Sequence, residues 1–268
     1  MCDEHTEQDN LRFEQAGGAV NRRQFGGLGT AAIFAAAFPL AACEDDALIE
    51  NDVEIAMPDG TSDSYFVHPA EGRHPGVLIW PDIRGLRPAF KAMGKRLALA
   101  GYSVLVANPF YRDAPAPVVG PDADFSDPDT RTLLVGMARK LTQDAAMSDA
   151  RAYIGFLDQQ DSVDTARKVG TAGYCMGGPL IMRTAAAVPG RVGAAASFHG
   201  GGLVTEDETS PHLLIPSSPA QVLHAIAEND DEKDPNAKTV LAAAYEAAGI
   251  PAEIEVYAGT LHGWCPPA

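Results

Sequence analysis

The stretch "KVGTAGYCMGGPLIM" (residues 168–182) decides the fold class, because its pattern changes from strand to helix around one cysteine. The first half is an apolar run typical of a buried strand, and the second is rich in the small and apolar residues of a helix. Cys175 stands at the junction, with Gly173 and Gly177 on either side. A strand that turns at once into a helix leaves no room for Cβ atoms beside the central residue. The stretch therefore predicts a sharp turn that presents Cys175 as a nucleophile; the alternative is a buried thiol that happens to follow a strand.

Apolar runs and helical segments alternate along the rest of the chain as well. A hairpin of two antiparallel strands is predicted around "PDG" at residues 58–60. Further strands are predicted at residues 76–81, 103–110, 166–174, 192–202, 220–230 and 252–259, and helices at residues 87–101, 131–160, 176–188 and 237–249. Buried strands that alternate with helices form a mostly parallel sheet with helices on both faces. We therefore predict the α/β class with a mostly parallel central sheet.

Composition limits the number of domains and the kinds of partner. The chain has 268 residues, 46% of them hydrophobic, which suits a single domain that we place at residues 44–268. Its formal net charge is −16, from 36 acidic and 20 basic residues. Nucleic-acid binding needs clustered Lys and Arg, and a negative surface repels anionic membranes, so neither is an expected partner. The histidines lack metal-ligand spacing, so we expect no metal site.

The first 43 residues have the pattern of an export signal. The pair Arg22 and Arg23 precedes a short apolar run, as in a twin-arginine signal. The run ends in "LAAC" at residues 40–43, which resembles a bacterial lipobox whose cysteine is lipidated. We expect an exported, envelope-associated protein anchored through lipid on Cys43, its only contact with a membrane. The alternative is an ordinary cleaved signal with an incidental cysteine.

Polar side chains follow the predicted strands at the points where these strands end. Since functional groups gather beyond the carboxyl ends of parallel strands, these residues are expected to lie at one edge of the sheet. They are Asp82, Arg112, Cys175, His199, the pair Asp230 and Asp231, and His262. Cysteine, then aspartate, then histidine is the chain order of the catalytic triad in α/β-hydrolases. The order therefore predicts an α/β-hydrolase fold.

Each member of this triad has a distinct chemical role. The helix that begins near Met176 favours a thiolate at Cys175 through its positive dipole end. His262 is the candidate general base, and an aspartate that accepts from its far N–H fixes the tautomer. Asp230 and Asp231 are neighbours and cannot both face the histidine; Asp230 is favoured, and Glu228 is a more distant third.

Five ordered motifs together resemble the dienelactone hydrolase family from about residue 50 to the end of the chain. They are "WPDIRGLRPAF" (80–90), "GYSVLVANPFYR" (101–112), "GYCMGG" (173–178), "AENDD" (227–231) and "LHGW" (261–264). The resemblance implies a cofactor-free, thiol-dependent hydrolase of a small ester or lactone. It also implies that Asp82 contacts the resting thiol and that the amides of Ile83 and Met176 form the oxyanion hole. By the same resemblance, Arg112 binds a substrate carboxylate. Trp264 stands beside the base in the sequence and is a substrate-binding candidate, with core packing as the alternative.

The chain departs from the family pattern in three places. Asp82 stands where the best-studied members have Glu, and no second arginine follows His262. The chain also ends six residues after His262, where the family fold adds a helix. Two alternatives therefore stay open: a broad carboxylesterase, and a non-catalytic lipoprotein that uses the same fold as a binding module.

Overall fold

The computed structural model describes residues 48–267 of the chain. The predicted export signal at residues 1–43, with the predicted lipidation site Cys43, lies outside the described residues. In the part that is described, no helix is both long and apolar enough to cross a membrane.

Eight strands form one sheet. They are β1 (Leu48–Met57), β2 (Gly60–Pro69), β3 (Gly76–Trp80), β4 (Ser103–Val106), β5 (Val169–Tyr174), β6 (Val192–Phe198), β7 (Gln221–Ala227) and β8 (Ala252–Tyr257). Their spatial order is β1-β2-β4-β3-β5-β6-β7-β8. The first two pairings in that order are antiparallel and the remaining five are parallel. This confirms the predicted α/β class with a leading hairpin.

Helices connect most of the parallel strands. Within residues 48–267 they are α1 (Pro88–Leu99), α2 (Pro128–Ala138), α3 (Gln143–Asp158), α4 (Gly177–Ala187), a 3₁₀ helix (Pro211–Ser217), α5 (Glu228–Lys233) and α6 (Ala237–Ala248). Helix α6 ends at Gly249, whose φ of 66° is the left-handed conformation that glycine adopts at little cost.

The core lies on both faces of the central strands. All five residues of β3 are buried, which explains why its sequence is continuously apolar rather than alternating. Val77 and Ile79 pack with Phe90 of α1 on one face of the sheet. Leu78 and Trp80 belong to the larger cluster on the other face, with side chains of α3 and α4. The strand that leads to Asp82 is therefore packed on both faces.

Several predicted elements differ from the structure, and the strands predicted at 103–110 and 192–202 end early, at Val106 and Phe198. The single long helix predicted at 131–160 is two helices, because Thr142 interrupts it and caps α3 by accepting a hydrogen bond from the amide of Ala145. The strand predicted at 220–230 ends at Ala227, and the acidic residues after it form the short helix α5. This last difference affects the site, because it sets the directions of three successive polar side chains.

Candidate active site

The turn between β5 and α4 holds Cys175 in a strained conformation. Its φ is 52°, in the left-handed region that residues with a Cβ atom rarely adopt. Its amide donates to the carbonyl of Phe198 at 3.1 Å, and its carbonyl accepts from the amide of Gly178 at 3.0 Å. The side chain is 3% exposed. A strained residue persists only where its surroundings fix it, and such residues concentrate at functional sites.

Glycines surround this turn because backbone segments meet there. A Cβ atom added to Gly173 would lie 2.0 Å from the carbonyl oxygen of Gly177. One added to Gly177 would lie 2.3 Å from the carbonyl oxygen of Trp80, at the end of β3. One added to Gly178 would lie 2.5 Å from the Cα atom of Gly200. The glycine pattern therefore reflects direct packing of this turn against the ends of β3 and β6.

The two cysteines in the described part of the chain differ in chemical state. Cys175 is disulfide-bonded in the structure. Thiol chemistry at Cys175 therefore refers to the reduced protein. Cys265 is a thiol, and burial raises its pKa to about 12. Since the thiolate is the nucleophile, Cys265 is unsuited to that role near neutral pH.

The loop that carries His262 is held by three successive side chains at the start of α5. Glu228 Oε2 accepts from the amide of Gly259 at 2.9 Å, and Asn229 Oδ1 accepts from the amide of His262 at 2.8 Å. Asp230 Oδ2 lies 2.7 Å from His262 Nδ1. The ring of His262 is therefore fixed through both its backbone and its Nδ1 atom, and the residue is 3% exposed.

The two neighbouring aspartates have separate partners. Asp231 Oδ2 is 2.5 Å from Lys238 Nζ of α6, whereas Asp230 faces His262. The sequence left open which aspartate faces His262, and the structure places Asp230 there. Asn229 and Glu228 were not recognised as loop anchors from sequence, because their roles depend on α5 beginning directly at Glu228.

The two backbone amides expected to hold an oxyanion belong to adjacent segments. Met176 is the N-cap residue of α4, where amides have no acceptor within the helix. Ile83 lies in the turn after β3, in which the amide of Gly85 donates to the carbonyl of Asp82 at 2.9 Å. A Cβ atom on Gly177 would also lie 3.0 Å from the carbonyl oxygen of Pro81, so these two segments touch. The oxyanion role itself stays a prediction.

Asp82 is engaged in an ion pair on its own loop. Its Oδ1 atom lies 2.6 Å and its Oδ2 atom 2.9 Å from the guanidinium of Arg87, in a bidentate arrangement. Oδ1 also accepts from the amide of Arg84 at 2.9 Å. The expected influence of Asp82 on the thiol of Cys175 stays a prediction, and any such contact would have to compete with Arg87.

Arg112 does not present a free guanidinium to a substrate. It binds Asp149 through two hydrogen bonds of 2.7 Å, and Asp59 through bonds of 2.9 and 2.7 Å. Asp149 is fully buried and also accepts from the hydroxyl of Tyr111 at 2.8 Å. Burial disfavours the charge of Arg112, but the bonds to both carboxylates outweigh it and raise its pKa. Arg112 therefore ties the loop after β4 to α3 and to the turn of the leading hairpin, and its expected role in binding a substrate carboxylate stays a prediction.

The two tryptophans have different locations. Trp80 is fully buried, and its indole N–H donates to Thr184 Oγ1 at 2.9 Å, so it is a core residue. Trp264 is partly exposed, and its ring centroid lies 5.3 Å from that of His199. The centroid of His199 is in turn 4.9 Å from that of His262. Trp264 therefore lies against the ring that neighbours the base, and its substrate-binding role stays a prediction.

The side chains in residues 48–267 include no group of three or more His, Cys, Asp or Glu residues arranged to hold a metal ion. The acidic loop before α2 instead forms local bonds. Asp124 accepts from the amide and hydroxyl of Ser126, both at 2.6 Å, and Asp127 caps α2 by accepting from the amide of Thr130 at 2.8 Å.

A sequence model described as the dienelactone hydrolase family matches residues 62–267. Among curated proteins, a carboxymethylenebutenolidase of a Pseudomonas species is 27% identical over 67% of this chain and 70% of that protein. A Methylorubrum extorquens protein provisionally named as the same enzyme is 29% identical over 68% of this chain, a match that spans 57% of the relative.

Solved structures give the same fold. A Klebsiella pneumoniae protein provisionally named a dienelactone hydrolase superposes with a TM-score of 0.69 at 22% identity, covering 81% of this chain and 88% of that one. A dienelactone hydrolase-like promiscuous phosphotriesterase from metagenomic libraries gives a TM-score of 0.63 at 20% identity, covering 81% and 84%. At these identities the structural likeness shows the α/β-hydrolase fold alone.

Proposed function

Because the chain belongs to the dienelactone hydrolase family, we propose that it hydrolyses an ester or lactone of a small molecule through a thioester on Cys175. The observation that carries the proposal is the 2.7 Å contact between His262 Nδ1 and Asp230 Oδ2. An Nδ1–H that donates to a carboxylate leaves the basic lone pair on Nε2, which is the tautomer a general base requires.

The reaction has two halves. In acylation, His262 takes the proton of the Cys175 thiol, and the sulfur attacks the acyl carbon of the substrate. The carbon–oxygen bond breaks, and His262 returns the proton to the leaving oxygen. In deacylation, a water oxygen attacks the thioester carbon while His262 takes the water proton. The carbon–sulfur bond then breaks, and the proton passes to the sulfur. The amides of Ile83 and Met176 stabilise the negative oxygen in both halves.

A burst experiment tests this function. The full chain is kept in reductant and mixed with p-nitrophenyl acetate, and the release of nitrophenolate is followed. We expect a burst that depends on Cys175. Its rate should fall about 1,000-fold or more in Cys175→Ala. Cys265→Ala is the matched control, and its burst should equal that of the unchanged chain. A burst that survives in Cys175→Ala, or an absence of turnover with slow alkylation of Cys175 by iodoacetamide, would rule out the proposed mechanism.

A broad carboxylesterase is a second candidate, and the pairing of Arg112 favours it. The guanidinium that was expected to select a substrate carboxylate already binds Asp149 and Asp59. An enzyme without that selection should accept neutral esters as well as anionic ones. Comparing kcat/KM for p-nitrophenyl acetate with that for its succinate half-ester separates the two candidates. A clear preference for the anionic ester would favour a hydrolase dedicated to lactones that carry a carboxylate.

We also propose that the enzyme is exported and held at the cell envelope by lipid on Cys43. The support is the sequence of residues 22–43, with its arginine pair, apolar run and terminal "LAAC". Metabolic labelling with a radioactive fatty acid tests this, with Cys43→Ala as the negative control. Label that remains in Cys43→Ala, or a product that stays unprocessed in the cytoplasm, would contradict the anchor.

A further inference from the structure

His199 shares an unusual backbone conformation with the proposed nucleophile. In residues 48–267, Cys175 and His199 are the non-glycine residues with positive φ, at 52° and 41°. They are neighbours across the sheet, because Tyr174 pairs with Phe198 at the ends of β5 and β6. The left-handed conformation costs about 1–2 kcal/mol for such residues. Cys175 lies in the turn that joins β5 to α4, and His199 lies at the end of β6, which packs against that turn.

The imidazole of His199 is buried without hydrogen-bond partners. The residue is 1% exposed, and neither Nδ1 nor Nε2 bonds to any residue of the described chain. A buried polar atom without a partner costs about 1–3 kcal/mol. His224 provides a comparison, since it is equally buried but its Nε2 bonds to the hydroxyl of Tyr245 at 2.9 Å. Unlike His224, His199 is left with two unused nitrogens.

These unused nitrogens lie beside the proposed base. The rings of His199 and His262 are edge to face with centroids 4.9 Å apart, and the ring centroid of Trp264 lies 5.3 Å from that of His199. Burial, and to a lesser degree the nearby His262, lower the pKa of His199 well below its ordinary value. His199 is therefore a neutral imidazole that offers one donor and one acceptor. A neutral ring suits an uncharged hydroxyl better than a carboxylate.

We propose that His199 is a substrate-contacting residue that hydrogen-bonds an O–H group admitted past Trp264 during the reaction. The inference rests on the proposed hydrolase function. The O–H group is either a hydroxyl on the acyl part of the substrate or the water that attacks the thioester. His199 gains or loses no proton, since His262 carries out the transfers. The contact explains why a strained, unpartnered histidine stands next to the base.

A pair of esters distinguishes these two sources. p-Nitrophenyl propionate and p-nitrophenyl lactate share a leaving group and differ by one hydroxyl. His199→Phe keeps a ring at the same backbone position, while His199→Asn restores a donor and an acceptor on a residue that tolerates positive φ. Burst rates report acylation, and the steady rate after the burst reports deacylation. The reduced full chain is used, with His224→Gln as the control, because His224 is a buried histidine whose ring bonds Tyr245 of α6.

Two outcomes support the inference. If the partner is a substrate hydroxyl, His199→Phe lowers the burst kcat/KM of the lactate ester about 3- to 10-fold and leaves the propionate ester unchanged. If the partner is water, it lowers the steady rate of both esters by a similar factor and leaves both bursts unchanged. In either case His199→Asn should recover a large part of the loss. Equal losses in every phase, losses no larger than those of His224→Gln, or no recovery in His199→Asn would overturn it.

Failure of the proposed function is recognised separately by a missing burst in the unchanged chain. In that case ¹⁵N spectra of the histidine rings in Cys175→Ala decide the inference without turnover. The His199 nitrogens should show a neutral, hydrogen-bonded ring, either at rest or after addition of methyl lactate. A ring that stays neutral without a hydrogen bond in both conditions overturns the inference.

Discussion

His262 Nδ1 lies 2.7 Å from Asp230 Oδ2, and this contact divides two adjacent aspartates into different roles. Asp231, the next residue, points to Lys238 of α6 instead. The division arises because both residues lie in the first turn of α5, where successive side chains diverge by about 100° around the helix axis. Two adjacent aspartates thus have different partners: Asp230 faces His262, and Asp231 faces Lys238.

This contact predicts unequal effects from two conservative changes. Asp230→Asn removes the charge that stabilises the His262 imidazolium and favours the wrong tautomer, so kcat should fall about 100-fold or more. Asp231→Asn is the matched control, and it should change kcat by less than about twofold, since it weakens only a partly exposed ion pair. Burst and steady-state rates with p-nitrophenyl acetate measure both. Equal losses in the two variants would contradict the assignment.

The turn around Cys175 predicts a stability difference between two glycines. Gly177→Ala places a Cβ atom 2.3 Å from a backbone oxygen that cannot move without shifting β3, so the free energy of unfolding should fall by about 3 kcal/mol or more. Gly190→Ala introduces a Cβ atom with nothing within 4 Å and should change that energy by less than about 1 kcal/mol. Urea denaturation of the reduced protein measures both. A Gly177→Ala variant as stable as Gly190→Ala would mean that the turn is looser than the structure shows.

Much of this geometry could be predicted from sequence, because local patterns specify it. The apolar run before Cys175 and the glycines around it predict the strand, the turn and the helix that the structure contains. Counting from the strand end favoured Asp230 over Asp231 as the partner of His262, and Asp230 Oδ2 is the atom that lies 2.7 Å from His262 Nδ1. These inferences depend on the period of the pattern and on the rule that parallel strands end at one edge of the sheet.

The remaining features depend on contacts between distant segments. Arg112 follows a strand end like the catalytic candidates, but its partners are Asp149, 37 residues later, and Asp59, 53 residues earlier. No local pattern shows that these carboxylates reach it first. Likewise, no local sequence pattern predicts the positive φ of His199 or the lack of hydrogen-bond partners at its two ring nitrogens. Interactions across the sheet therefore decide which polar residues remain available for chemistry.

The pairing of Arg112 predicts a structural role that can be separated from substrate binding. Arg112→Met leaves the fully buried carboxylate of Asp149 without its cation, which should lower the free energy of unfolding by about 3–5 kcal/mol. The ratio of kcat/KM for anionic and neutral esters should stay unchanged. Arg191→Met, which breaks a more exposed pair with Asp158, should cost less than about 1 kcal/mol. A selective loss of activity on the anionic ester in Arg112→Met would instead support the substrate-binding role.

The buried histidines predict that stability decreases in mild acid. Burial lowers the pKa of His224 from its ordinary value to about 4, so the folded state stays unprotonated while the unfolded state binds a proton below about pH 6.5. Stability from this residue is fully present above pH 6.5 and is lost as pH falls toward 4, by about 1.4 kcal/mol per pH unit. His224→Gln keeps a side chain able to bond Tyr245 but does not titrate, so urea denaturation between pH 7 and 4 should show a flatter profile. His74→Gln, at a partly exposed position, is the control and should follow the unchanged chain. Parallel pH profiles of the unfolding free energy for all three proteins would show that protonation of His224 does not destabilise the folded state.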